Sequence, residues 1–212
     1  MKKIPAFTIP LYEFTADEQL TIKILELAQN QTYTENVSNK SNVKYRLEAI
    51  KNKELINWFN SCLEEVKNDL YDEPVFDIKV SDAWFNKASY TEKHHMHAHP
   101  NSVLSGVFYL TTHTKKARTK LYLPNPFHHI DFSKMFNTRD SFITDEKYIV
   151  TEIQPVAGKL IIFPSTIEHQ VETNITRDDR YSISFNSFFS GIIGKKDSAT
   201  MLHITVQYPD LE

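Results

Sequence analysis

The sequence predicts a mainly β jelly roll packed against helices, and three features predict it. Helical periodicity is confined to the first 74 residues, short alternating runs follow Pro74, and Arg180 to Asn186 alternates strictly between polar and apolar side chains. At 212 residues, with 41% hydrophobic and 24% charged content, the chain can bury one full core but is short for two. It reads as a single domain over 1–212, with a helical part at 1–74 and the jelly-roll core at 75–212.

Taken in order, Thr15 with Glu18 makes a capping-box signal, and Leu20, Ile24, Leu27 and Ala28 recur at helical spacing. They predict a first amphipathic helix. Residues 30–46 are rich in Asn, Thr, Ser and Lys and carry no periodicity. Leu55, Ile56, Phe59, Cys62, Leu63, Val66 and Leu70 then repeat on one helical face, a second helix that ends before Pro74. Beyond it Phe76, Ile78 and Val80 alternate with polar neighbours before Trp84 and Asn86. Further short strands are predicted at Val103 to Thr112, Lys120 to Leu123, Tyr148 to Ile153, Lys159 to Pro164, Gln170 to Glu172, Tyr181 to Phe189 and Leu202 to Tyr208. Residues 124–147 lack clear periodicity and read as a lid, with His128, His129 and Arg139 as candidate substrate contacts.

Composition narrows the chemistry. Cys62 is the only cysteine, so an internal disulfide, a thiolate metal cage and a redox pair are all excluded, and a metal site must use His, Asp or Glu. The net charge of −3, with Lys and Glu interspersed, offers no dense basic face, so nucleic acid is not expected as a partner. Apolar runs such as Leu160 to Phe163 are far too short for a bilayer, and Met1-Lys2-Lys3-Ile4-Pro5 lacks an apolar signal core. No membrane association and a cytoplasmic location are the expectations.

Six histidines, His94, His95, His113, His128, His129 and His203, sit among polar residues and read as solvated. His97-Ala98-His99 differs, because side chains two apart on an extended segment share a face and both imidazoles can converge on one ion. Alone, that pattern is incidental more often than ligating. The second cluster adds to it: Pro155-Val156-Ala157-Gly158 turns into the buried run Leu160-Ile161-Ile162-Phe163, followed by Pro164-Ser165 and His169. Eleven residues later Arg180 opens the alternating segment. Tyr181, Ile183 and Phe185 are expected to pack towards the helices, which turns Arg180, Ser182, Ser184 and Asn186 to the sandwich interior. Buried polar groups need partners, and a guanidinium fork suits a carboxylate, so Arg180 with Ser182 predicts an acidic ligand. The plainer alternative is a surface ion pair of Arg180 with Asp178, Asp179 or Glu172.

His97 to Tyr109, with Gly158 to Ser165 and on through His169 and Arg180 to Asn186, resembles the 2-oxoglutarate/Fe(II) oxygenases of bacteria and their phages, within the prolyl-hydroxylase-like superfamily. Trp84 and Asn86 also sit where that family has them, and the resemblance covers roughly residues 75–190. It implies a double-stranded β-helix (jelly roll) core, Fe(II) as cofactor and 2-oxoglutarate as co-substrate. It further implies His97 and His169 as iron ligands and Arg180 with Ser182 on the distal carboxylate. His97, His169 and Arg180 are thus the candidate catalytic residues. Tyr109 is a candidate second hydroxyl there, and Asn86 and Ser105 are candidates for lining the same pocket, each with the alternative of a satisfied strand residue. Position 99 departs from the family, which mostly has a carboxylate there. Either His99 is a third imidazole ligand or another group fills that position.

The implied activity is oxygenation, with release of succinate and carbon dioxide, of an unidentified substrate, either a small molecule or a protein side chain. For a phage-encoded member the location is the host cytoplasm. Two rivals stay open. A cupin-type metalloenzyme without 2-oxoglutarate shares the sandwich and the H-x-H, but its usual Glu is missing from Pro100 to Gly106 and Arg180 is left unexplained. A non-enzymatic jelly-roll binding module would make the histidines structural. Phe188, Phe189, Ile192 and Ile193 are either core or the interface of a homodimer.

Overall fold

A computed structural model of the chain describes residues 9–35, 44–46, 49, 51–72, 75–113, 117–124, 147–194 and 201–207. Two helices and twelve strands follow one another as β1 (Tyr12–Thr15), α1 (Glu18–Gln29), β2 (Thr34–Glu35), β3 (Lys44–Arg46), α2 (Lys53–Leu70), β4 (Phe76–Ala88), β5 (His94–His97), β6 (Leu104–Tyr109), β7 (Thr119–Pro124), β8 (Tyr148–Ile153), β9 (Lys159–Pro164), β10 (Glu168–Val171), β11 (Arg180–Ile193) and β12 (Leu202–Ile204). The larger sheet runs β1-β9-β6-β11-β4-β3-β2, with β12 added to β11, and the smaller runs β5-β10-β7-β8. The fold is a double-stranded β-helix with helical backing, as the sequence predicts.

The periodicity of each element says which face it buries. On α1, Leu20, Thr21, Ile24 and Ala28 are buried, whereas Leu27 stands at the exposed edge of the predicted stripe. Its cap differs from the expectation. Thr15 closes β1 instead, and the Asp17 carboxylate accepts from the Gln19 and Leu20 N–H groups, a short side chain reaching the unpaired donors of the first turn. On α2 the predicted stripe from Leu55 to Val66 is buried, Leu70 is exposed, and the helix starts on an Asn52 cap.

Both helices pack on one face of the larger sheet. Phe59 meets Phe185 at 4.6 Å between ring centroids and Phe108 at 6.0 Å, and Tyr181 and Ile183 join the same core, so the apolar phase of β11 does face the helices. The unbroken run on β9 follows from two-sided burial: Leu160 and Ile162 enter the helix-side core, while Ile161 and Phe163 enter a smaller core between the sheets with Val107, Tyr109, Leu121 and Ile167. That inter-sheet core fills one end of the sandwich. The other end is a cleft.

Strand β5 carries no alternating apolar signal and was not expected, nor was β1, although its Tyr12 and Phe14 alternate with Glu13 and Thr15 and pack on the core; β2 and β3 fall in the aperiodic stretch at 30–46. The stretch read as a lid, with His128, His129 and Arg139, lies outside the described residues apart from Pro124 and Lys147.

Candidate metal centre

The cleft is built where the two sheets face each other beside the inter-sheet core. His97 ends β5 and His169 lies on β10, and the two are direct partners in the antiparallel ladder. Cross-strand partners on one face bring their side chains together, and here the ring centroids are 4.3 Å apart. His99 follows β5, where its backbone N–H donates to the Ser165 carbonyl at 2.9 Å. Its ring comes within 5.0 Å of His97 and 5.2 Å of His169. The ligand atoms of the three imidazoles all lie within 4.8 Å of one another.

Two of the three rings are oriented alike. The Nδ1–H of His97 donates to the His95 carbonyl at 2.9 Å, and that of His169 donates to the Ile167 carbonyl at 3.0 Å. A carbonyl only accepts, so the proton is on Nδ1 and each Nε2 keeps its lone pair, the arrangement that a metal-binding histidine requires. His99 is held less firmly. Its Nδ1 lies 3.5 Å from the Asn186 amide nitrogen, at the outer limit of a hydrogen bond, and Trp84 stands 6.0 Å from its ring.

Burial keeps the imidazoles neutral. Desolvation is the main cause throughout: it pushes His169 down to about 3 and His99 to about 4, helped in each by the neighbouring His97, and it lowers His97 as well. Among the described residues no acid acts on them within the cluster, and neutral imidazole is the form that ligates.

At the other end of the cleft lies Arg180, 4% exposed, on the first residue of β11. Its Nη2 donates to Ser182 Oγ at 3.4 Å, its guanidinium carbon is 6.0 Å from the Tyr109 ring centroid, and its Nε is buried without a partner. The surface ion pair is not formed: Asp179 pairs with Lys87, and Glu172 pairs with Lys120. Burial alone lowers the guanidinium from its ordinary value, opposed by Tyr109. A buried cation that lines a cleft and has an unpartnered N–H is costly unless an anion completes it. The donor set therefore fits a divalent metal at one end and a carboxylate at the other.

A family described as "Putative 2OG-Fe(II) oxygenase" matches residues 82–186, a span that runs from β4 through every group just named to Asn186. The chain belongs to the 2-oxoglutarate/Fe(II) oxygenase family. As an oxygenase of this kind it uses Fe(II) and 2-oxoglutarate, and the cupin-type and non-enzymatic readings fall away. Solved structures share the fold. A Pseudomonas putida prolyl-4-hydroxylase superposes with a TM-score of 0.59 at 13% identity, over 84% of this chain and 93% of that one. The α-ketoglutarate-dependent epimerase SnoN from nogalamycin biosynthesis gives 0.62 at 10%, over 90% and 83%. HygX from Streptomyces hygroscopicus, solved with nickel and 2-oxoglutarate bound, gives 0.59 at 7%, over 85% and 83%. No curated protein matches the chain.

Within this oxygenase the expected residues take unequal places. His97, His99, His169, Arg180, Ser182, Asn86 and Ser105 all line the cleft. The Asn86 amide donates to Ser184 Oγ at 3.0 Å. Ser105 Oγ is already bonded to Ser165 and Asn186, at 2.9 Å each. Tyr109 is 1% exposed and its hydroxyl donates to Thr119 Oγ1 at 2.8 Å, so Thr119 stands between it and the cleft. Nothing in the sequence marked Thr119, whose inward phase is set by pairing with Val171. The reading of His94 and His113 as solvated is corrected. His94 lines the cleft, and His113 is 4% exposed, with its Nδ1 3.3 Å from Thr176 Oγ1. His95 is half-buried and His203 is exposed, while His128 and His129 are outside the described residues.

Proposed function

We propose that His97, His169 and His99 hold Fe(II), that Arg180 with Ser182 holds the distal carboxylate of 2-oxoglutarate, and that the product is a hydroxylated small molecule or protein side chain. The observation that carries this reading is the buried, unpartnered Nε of Arg180 in the same cleft as two imidazoles whose Nε2 lone pairs are free. When bound, Fe(II) with 2-oxoglutarate supplies dioxygen activation, the co-substrate being oxidised to succinate and carbon dioxide. The protein's part is positional. The His95 and Ile167 carbonyls lock the ring orientation of His97 and His169. Arg180 fixes one end of the co-substrate by charge-assisted hydrogen bonds, and Val107, Phe163 and Val171 wall the space between and keep water from it. A third imidazole at 99 leaves the iron complex one unit more positive than a carboxylate would.

Net charge and composition support a substrate other than nucleic acid. Among the described residues no helix is long and apolar enough to cross a membrane. A cytoplasmic location belongs to the same proposal, in keeping with a lone, buried Cys62 thiol and a ferrous cofactor that persists under reducing conditions. The test is anaerobic titration of the purified protein with Fe(II) and 2-oxoglutarate. A visible metal-to-ligand charge-transfer band is expected, saturating at one equivalent of each. A folded protein that gives no band would falsify the assignment.

A further inference from the structure

We infer that His94 is a further co-substrate residue, whose ring N–H donates to the carboxylate held by Arg180 from the sheet opposite it. The inference rests on the reading above that the cleft binds 2-oxoglutarate. Strand alternation argues against His94 at first sight, since 95, 97 and 99 share one phase of an extended chain and 94 takes the other. The β5–β10 ladder changes this. His97 pairs with His169 and His94 pairs with Val171, so three steps along β5 span only two along β10. The extra residue is a β-bulge, and a bulge re-aims the side chains beyond it. It returns His94 to the face of His97, whose ring lies 4.4 Å away at 30°.

His94 thereby lies beside the three-imidazole cluster, its ring against that of His97, in the cleft that Arg180 also lines. Its ligand atoms group with those of His95 and His97 and not with those of His99 and His169, so it is no fourth member of that set. It lines the cleft together with Arg180, Ala88 and Val171, and Ala88 is the cross-strand partner of Arg180. The Arg180 guanidinium is close enough to act electrostatically on the ring. Whereas Nδ1 of His97 and of His169 is tied to a carbonyl, neither ring nitrogen of His94 is hydrogen bonded among the described residues. Asn174 braces this end of the cleft. Its amide donates to the Ala88 and Asp178 carbonyls, at 3.0 and 2.9 Å, and its backbone N–H donates to the Glu92 carbonyl. An anion lying against Arg180 thus meets two open donors on the facing sheet, the Thr119 hydroxyl, which accepts from Tyr109 and is free to donate, and the ring N–H of His94.

The experiment is anaerobic calorimetric titration of 2-oxoglutarate into protein loaded with Mn(II), with Mn(II) affinity measured separately and folding checked by thermal melts. His94→Ala is expected to weaken 2-oxoglutarate by about tenfold or more, the scale of one hydrogen bond to a charged group, while Mn(II) affinity changes little. His94→Asn, which retains an N–H donor, is expected to recover part of the loss, and it stands as the test if the alanine variant does not fold. Unchanged 2-oxoglutarate affinity in folded variants overturns the inference and leaves the functional reading intact. Equal losses for Mn(II) and 2-oxoglutarate also overturn it, by making His94 a ligand. A parent protein that binds Mn(II) but no 2-oxoglutarate overturns the functional reading itself.

Discussion

A guanidinium that is 4% exposed and has no carboxylate partner among the described residues is held at an electrostatic cost that these residues do not recover. If a bound carboxylate offsets that cost, Arg180→Ala removes the anchor and little else. Its 2-oxoglutarate affinity is expected to fall by roughly 2–5 kcal/mol, the cost of breaking a buried charged pair, with metal affinity nearly unchanged. Parallel titrations of metal and co-substrate check this, and an equal loss of both would mean that Arg180 is misplaced. His99 poses the opposite question. Its Nδ1 has only the Asn186 amide at 3.5 Å, against 2.9 and 3.0 Å for the carbonyl anchors of His97 and His169. We expect His99→Ala to keep measurable but weaker iron binding and His169→Ala to lose stoichiometric iron. Iron analysis after gel filtration reads the difference, and undiminished iron in His99→Ala would remove it from the ligand set.

Among the elements, β6 and β11 meet at a close approach that only glycine permits. Gly106 pairs with Phe185 across the ladder, and a Cβ at 106 would stand inside van der Waals contact with the Phe185 ring. That ring is itself packed against Phe59 of α2, 4.6 Å away, which resists its displacement. Gly106→Ala is therefore expected to destabilise the fold by about 1–3 kcal/mol, the range for overpacking a filled core. Urea unfolding measures it, and a change within error would show that the ring can move. The bulge on β5 is the other decisive feature at this level, because without it His94 would point out of the cleft.

For the molecule as a whole, the buried imidazoles make stability depend on pH. Their ordinary value is 6.5, and burial holds His99 at about 4 and His169 at about 3 in the folded state. Between those values and 6.5 the unfolded chain binds protons that the folded chain refuses, so the stability of metal-free protein rises with pH through this window. It is fully present above 6.5 and is lost as pH falls. The clearest interval is about pH 6.5 down to 4.5, above the range in which Asp77, lowered by Lys67 and Lys79, and Glu152, lowered by Lys120 and Arg118, take up protons. The urea midpoint of metal-free protein should decline across that interval and decline less in His169→Asn. A flat profile would show that the cluster stays hydrated.

Much of this molecule is legible from the chain alone. The α2 stripe, the two-sided run on β9 and the alternation of β11 each state which face is buried, because local periodicity and side-chain phase are properties of a few adjacent residues. That His97, His169 and Arg180 face one cleft was legible for the same reason: each stands at a phase or spacing that solvation does not explain. What lay beyond the sequence depends on pairing between distant strands. The Asp17 cap was settled by where β1 ends, Thr119 was turned inward by its ladder with β10, and Tyr109 was placed behind it by one hydrogen bond. His94 is the sharpest case. Its phase in an ideal strand points outward, and only a register shift between β5 and β10, residues more than seventy positions apart in the chain, brings it to the cleft. Side-chain type and spacing determined which chemistry the chain can hold, whereas tertiary register decided which of nine histidines line the cleft, because one residue of slip exchanges the faces of a strand.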